Sequence, residues 1–103
     1  MEDLAEHVTQ LIEAEIRAHD CTGRAGRMLL EEFQQQRVRR PRAITVNFSG
    51  GITQMCWTVT RSDGAYSTVY LPSAGYFSLC VDSDFGPLDI GVHGPAIQVF
   101  SAV

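Results

Sequence analysis

The sequence predicts an α+β fold in which an N-terminal two-helix hairpin packs on one face of a mainly antiparallel meander sheet of five or six strands. Apolar residues recur at helical spacing up to about residue 37 and at every second position from residue 43 onward. Turn residues interrupt the second half at regular short intervals, and no strand alternates with a helical segment, which favours antiparallel pairing. With 103 residues we expect a single domain, composed of a helical hairpin (1–37), an Arg/Pro hinge (38–42) and an antiparallel sheet (43–103).

The first predicted helix covers residues 3–20. Its apolar residues fall on one stripe at helical spacing, and acidic residues in its first turn suit the positive end of the helix dipole. The stripe consists of Leu4, Val8, Leu11, Ile12 and Ile16. The stretch from His19 to Gly23 predicts a turn, in which Thr22 can cap the next helix.

The second predicted helix covers about residues 23–37. Its inner stripe consists of Ala25, Met28, Leu29 and Phe33. Gly23 and Gly26 stand near its start, and we interpret them as flexibility at the helix start. The residue before Pro41 is pushed out of the helical conformation, so we expect the helix to end before that position.

Strands follow from residue 43. Alternation predicts them around Ile44–Phe48, Gln54–Val59, Tyr66–Leu71, Tyr76–Asp82, Leu88–Val92 and Ala96–Ala102. Asp63-Gly64 supplies the backbone conformation of a tight hairpin turn. The sixth strand contains no charged residue, and natural proteins protect such an edge. We therefore expect it either in the centre of the sheet or paired with a second copy of the chain in a homodimer.

The alternation also predicts two unlike faces of the sheet. The face against the helices would carry Val46, Phe48, Trp57, Val59, Phe77, Leu79, Val81, Ile90, Val92, Ile97 and Val99. The other face would be polar, aromatic and nearly uncharged, with Thr45, Asn47, Gln54, Thr58, Tyr66, Thr68, Tyr70, Tyr76, Ser78 and Cys80. Tyrosine is enriched and charge is depleted in the centre of protein interfaces, so Tyr66, Tyr70 and Tyr76 are candidate binding residues.

Charge is distributed unevenly around a net value of −4. Acidic residues dominate positions 1–20, arginines dominate 21–42, and aspartates dominate 43–103. The arginine cluster Arg37, Arg39, Arg40 and Arg42 is a second candidate binding site. We expect it in a polar junction outside both periodicities, where each charge reversal costs within about 0.5 kcal/mol. The surrounding acidic residues oppose a polyanion, so we rank nucleic acid below a protein partner.

The second half of the sequence contains acidic and nucleophilic residues that are candidates for chemistry. Asp82, Asp84 and Asp89 could hold a hard cation, but a solvated acidic loop is the commoner case. They could equally form the acidic half of a protein interface, for which Asp82 and Asp84 are candidate binding residues. Cys80 and His93 are the one pair that could form a thiolate–imidazole nucleophile, although a strand cysteine is usually a small buried hydrophobe. We expect no catalytic residues, no metal ligands and no cofactor.

Composition excludes several classes of protein. Apolar residues at 45% and charged residues at 19% exclude a disordered chain. No apolar run is long enough for a membrane-spanning helix or a signal peptide, so we expect no membrane partner. Three cysteines without a Cys-x-x-Cys pair favour a reducing compartment, and we expect the cytoplasm.

The leading hypothesis is therefore a small non-catalytic protein-binding domain inside the cell. Its role would be that of an inhibitor, an immunity protein or an antitoxin-like protein of bacterial or phage origin. The alternative is a small-ligand module with a pocket between helices and sheet, lined by Trp57, Tyr66, Tyr70 and Phe77. A filled core at that position would favour the protein-binding hypothesis, and an empty cavity the alternative. A nucleic-acid-binding protein that uses the arginine cluster ranks below both.

Overall fold

The computed structural model describes residues 3–103 and contains helices followed by a five-stranded sheet, so the α+β class with N-terminal helices is confirmed. The helices are α1 (Leu4–Ala18), α2 (Arg24–Gln36) and α3 (Ala96–Phe100). The strands are β1 (Ala43–Phe48), β2 (Ile52–Thr58), β3 (Tyr66–Leu71), β4 (Tyr76–Ser83) and β5 (Gly86–Gly94). Among the described residues, no helix combines the length and the apolar character that crossing a membrane requires.

The sheet is a closed barrel, so the expectation of an open meander is wrong. Consecutive strands pair in antiparallel fashion, as expected, from β1 to β5. The barrel closes where β1 and β5 pair in parallel, with Asn47 opposite Leu88. Strand alternation is the same in an open and a closed sheet, and closure depends on contacts between β1 and β5, which are distant in sequence.

The expected sixth strand is the helix α3, which is a second correction. Pro95 stands at its N-terminal cap in an extended conformation. The carboxylate of Glu15 in α1 accepts hydrogen bonds from the backbone N–H groups of Ala96 (2.8 Å) and Ile97 (3.1 Å). These groups have no partner inside a helix, so a carboxylate beside them stabilises the helical start. No edge strand exists at residues 96–102, and the homodimer expectation loses its basis.

One hydrophobic core lies between the helices and the outer surface of the barrel. The short helix α3 contacts α1, α2 and the strands β3, β4 and β5. The buried residues of this core are Val8, Ile12, Phe33, Val59, Tyr70, Phe77, Leu79, Ala96, Ile97 and Val99. Trp57 and Tyr66 pack against its margin. The helices therefore cover one side of the barrel.

A second core fills the inside of the barrel. Its buried members are Val46, Cys56, Val69, Leu71 and Cys80, with Ile44, Phe48 and Tyr76 packed against them.

Residues expected to share one polar face of the sheet lie in two different cores. Leu71 lies opposite Tyr76 and Tyr70 opposite Phe77, and residues opposite each other in a ladder point to the same side of the sheet. Tyr70 therefore faces the helices, whereas Tyr76, Ser78 and Cys80 face the barrel interior. The expectation of one polar Tyr/Thr face is therefore wrong: Tyr70 is 5% exposed, and Thr68 and Ser78 are also buried.

Candidate functional site

A groove with a volume of about 930 Å³ opens at one end of the barrel. At this end β1, β3 and β5 begin and β2 and β4 end. Five arginines line the groove, namely Arg37, Arg39, Arg40, Arg42 and Arg61. Ile44 and Val69, which belong to the barrel core, supply apolar lining. The arginine cluster of the sequence is thus part of a concave surface.

Carboxylates of the acidic N-terminal helix region hold two of these arginines. Arg37 donates to Glu13 at 2.9 Å, and its side chain is only 17% exposed. Arg40 donates to Asp3 at 2.8 Å on an exposed surface. The same hydrogen bond is the main reason that the pKa of Asp3 is lowered. Arg37 is therefore not a freely solvated residue, which corrects the expectation that all four arginines lie in an unconstrained polar junction.

Two other arginines of the groove keep their guanidinium groups available. Within residues 3–103, the side chains of Arg39 and Arg42 form no hydrogen bond or ion pair, and both residues are exposed. A guanidinium group offers several N–H donors in a planar fork that matches the geometry of a carboxylate. These two side chains are the part of the groove that can take an added anion.

Backbone hydrogen bonds fix the segment that carries the arginines. Val38 N–H donates to Val59 at 2.9 Å, and Arg61 N–H donates to Gln36 at 2.8 Å. At the other end, Thr58 N–H donates to Arg42 at 2.8 Å, and Arg42 N–H donates to the Thr58 hydroxyl at 2.9 Å. The predicted hinge is therefore tied to the β2–β3 connection, and the groove is largely preformed.

One acidic residue lines the groove beside the β2–β3 connection, which also carries Arg61. This residue is Asp82, at the end of β4, and it accepts a hydrogen bond from the Ser62 hydroxyl at 2.5 Å. In the barrel β4 neighbours β3 and β5 but not β1, so Asp82 and Arg42 lie on separate sides of the opening. Asp84 follows on the exposed turn between β4 and β5 and does not line the groove.

The three candidate tyrosines lie elsewhere and are not assembled with the arginines. Tyr70 packs with Phe77 at a ring distance of 5.0 Å in the core beneath the helices. Tyr66 packs at the margin of the same core. Tyr76 stacks on His93 at 4.3 Å. Their aromatic surface is used for packing within the chain.

The Cys80–His93 nucleophile is not assembled by the strand register. Asp89 lies opposite Cys80, and His93 lies opposite Ser78. His93 Nε2 forms its hydrogen bond with Asp89 at 3.1 Å, and the Ser78 hydroxyl donates to the same carboxylate oxygen. Burial raises the pKa of the Cys80 thiol to about 12, and the nearby Asp89 charge adds to this shift. A buried, protonated thiol is a poor nucleophile.

Metal-binding residues are also not brought together. Among residues 3–103, no three His, Cys, Asp or Glu side chains form a group that could hold a metal ion. Asp82 bonds to Ser62, whereas Asp89 bonds to Ser78 and His93, so these two aspartates have different surroundings.

Arg61 was missed as a candidate from the sequence. It lies outside the cluster and is recruited because the β2–β3 connection returns to the same end of the barrel. The pairing of Ala43 with Trp57 places the residues after β2 beside Arg42. The Asp63-Gly64 hairpin signal, combined with antiparallel β1–β2 pairing, could have indicated this neighbourhood.

No protein-family model, curated protein or solved structure matches this chain. The geometry of the groove is therefore the basis for assigning a function.

Proposed function

We propose that this chain is a non-catalytic protein-binding domain whose basic groove takes an acidic segment of a partner protein. The observation that carries the proposal is the pair of uncommitted arginines, Arg39 and Arg42, in a preformed groove of about 930 Å³. Five arginines and one aspartate line this groove, and Glu13 and Asp3 offset only two of the positive charges. A partner carboxylate can form charge-assisted hydrogen bonds with the remaining guanidinium groups.

A peptide segment suits the lining better than a nucleic acid does. None of the groove-lining residues is aromatic, whereas proteins that bind single strands stack bases on aromatic rings. Val38, Ile44, Val69 and Pro87 offer apolar contacts beside the charges, which peptide side chains can use. The net charge of −4 opposes a polyanion over the rest of the surface.

The position of the core also favours a protein partner over a small ligand enclosed beneath the helices. Tyr70 and Phe77 are buried against each other there, and Trp57 and Tyr66 pack at the margin of the same core. The space between helices and sheet that the small-ligand hypothesis requires is thus filled by side chains. An inhibitory, immunity or antitoxin-like role is the biological form that we put forward for this binding activity.

Binding of a fluorescent glutamate-rich peptide tests the proposal. The variant Arg39→Glu/Arg42→Glu removes the two uncommitted guanidinium groups, and we expect it to weaken binding by at least about tenfold. The control variant Arg17→Glu/Arg24→Glu makes the same change of net charge at exposed positions outside the groove. We expect the control to bind nearly as the unmodified chain does at about 0.15 M salt, where charges beyond about 8 Å are screened.

Two outcomes would overturn the proposal. The first is an equal loss in both double variants, which would show a general charge effect. The second is micromolar binding of DNA or RNA that depends on Arg39 and Arg42 while the acidic peptide does not bind. That result would assign the groove to nucleic acid, with a salt dependence set by the number of phosphates neutralised.

A further inference from the structure

The most exposed large apolar side chain among residues 3–103 stands beside the groove. Phe85 is 89% exposed and lies in the turn between Asp82 and Pro87, both of which line the groove. An isolated exposed apolar residue is common on protein surfaces, so exposure alone assigns no role to it. Its setting and its charged neighbours are more informative.

Hydrogen bonds hold the turn that displays Phe85. The Asn47 side-chain amide donates to the carbonyl groups of Phe85 (3.0 Å) and Pro87 (3.2 Å). The Ser83 hydroxyl donates to the Gly86 carbonyl at 2.5 Å and accepts from the Phe85 N–H at 3.2 Å. Because the backbone is already ordered, contact with this ring loses little conformational freedom. Aromatic side chains, including those of phenylalanine, are enriched in protein interfaces.

The residues beside Phe85 carry negative charge, whereas Arg39 and Arg42 in the groove carry positive charge. Asp82 and Asp84 flank the turn, and both are exposed. A run of carboxylates that continued from Arg42 toward Phe85 would meet these two negative charges, and like charges across an interface are costly. The groove is therefore basic along the segment that carries Arg39 and Arg42, and the β4–β5 turn beside it is both apolar and acidic.

Building on the function proposed above, we propose that the partner segment is bipolar. Its carboxylates lie against Arg39 and Arg42, and an apolar side chain beside a neutral or basic residue lies against Phe85 and Asp84. Phe85 and Asp84 thereby determine which acidic segments bind and in which direction they lie.

Two labelled peptides of about eight residues, roughly 26 Å when extended, test this pattern. The bipolar peptide carries glutamates at one end and a leucine and a lysine at the other, and is made in both chain directions. The second peptide carries glutamates at both ends. We expect the unmodified chain to bind one direction of the bipolar peptide about tenfold more tightly than the uniformly acidic peptide.

Variants of the β4–β5 turn distinguish the contribution of Phe85 and Asp84 to binding from that of the arginines in the groove. Phe85→Ala is expected to weaken binding of the bipolar peptide by about tenfold and to leave binding of the uniformly acidic peptide unchanged. Asp84→Asn is expected to strengthen binding of the uniformly acidic peptide by about threefold. Met55→Ala and Glu31→Gln are matched controls, since both positions are exposed and neither lines the groove or belongs to the turn.

The outcomes distinguish this inference from the proposed function. If both peptides bind equally and the turn variants change neither, while Arg39→Glu/Arg42→Glu abolishes binding, the bipolar pattern is wrong and the basic groove stands. If neither peptide binds, the proposed function fails and the bipolar pattern fails with it. A selective loss of the bipolar peptide in Phe85→Ala supports both.

Discussion

The carboxylate of Glu15 accepts a hydrogen bond from the backbone N–H of Ala96 at 2.8 Å, across 81 positions of sequence. A second oxygen of the same carboxylate accepts from the following N–H group at 3.1 Å. One side chain of α1 thus caps the start of α3, whose apolar residues fill the core beneath the helices. The first and last helices described here are joined through this contact.

Removal of this cap should destabilise the fold. Glu15→Ala leaves two N–H groups without their acceptor, and loss of a helix cap costs about 0.5–2 kcal/mol. We expect a decrease near the upper end of this range, because the carboxylate serves both groups. Urea unfolding measures the change, with Glu31→Ala on the exposed face of α2 as the control. Equal midpoints for the two variants would show that the cap does not stabilise α3.

Gly26 should resist substitution although it lies inside a helix. Gly→Ala in a helix interior usually stabilises by about 1 kcal/mol. Here an added Cβ would overlap the backbone carbonyl oxygen of Asp20, and the Gly26 carbonyl is itself bonded to His19 at 2.9 Å. We expect Gly26→Ala to destabilise by about 1–3 kcal/mol, the usual effect of overpacking.

Gly23→Ala is the control for this substitution, because a Cβ at Gly23 meets no atom within 4 Å. We expect it to cost less than about 1 kcal/mol, the effect of a poorer cap residue. Thermal unfolding of both variants checks the difference. A stabilised Gly26→Ala would contradict the close approach of the α1–α2 turn to α2.

The three cysteines should differ in reactivity toward a thiol reagent. Cys21 is exposed, whereas burial raises the pKa of the Cys56 and Cys80 thiols to about 11 and about 12. Only the thiolate reacts, so at neutral pH we expect one thiol to be labelled in the folded chain and three in denaturant. Cys21→Ser should abolish the rapid phase. Rapid labelling of the folded Cys21→Ser variant would contradict the barrel interior described above.

Lowering the pH should destabilise the β2–β3 connection, because it protonates the carboxylate of Asp63. Hydrogen bonds from the N–H groups of Tyr66 (2.7 Å) and Ala65 (2.9 Å) lower the pKa of this carboxyl group. Its contribution to stability is complete above the ordinary aspartate pKa and is lost as the pH falls through the lowered value. Asp63→Ala should therefore be less stable than the unmodified chain at neutral pH. Urea unfolding at decreasing pH should show this difference narrowing, and a constant difference would contradict the role of the ionised form.

Local patterns predicted much of this fold. The helical stripes placed α1 and α2 within two residues of their observed bounds, and alternation located the five strands. Alternation does not predict the register between β3 and β4. It divides the residues of each strand into two faces, but it does not show which face of β3 lies on the same side of the sheet as a given face of β4. Residues 96–102 alternate as a strand would, and the cap from Glu15 is a distant contact that no local window contains.

The candidate site was predictable to the same extent. The arginines adjacent in sequence were found together, since neighbours in the chain share a segment. Arg61 and Asp82 join the groove through the pairing of strands that are separate in sequence, since Ala43 lies opposite Trp57 and Tyr66 opposite Val81. Alternation alone does not show which side of β3 faces the helices, so it does not predict that Tyr70 is buried beneath them.

The position of α3 also determines when the chain can fold during its synthesis. Val8, Ile12 and Phe33 emerge from the ribosome early, but the residues that cover them include Ile97 and Val99. Helices of 15 and 13 residues are marginal in water without a packing surface. The core beneath α1 and α2 is therefore complete only when residues 96–100 have also been made, so we expect the two helices to reach full stability together with α3 and not before it.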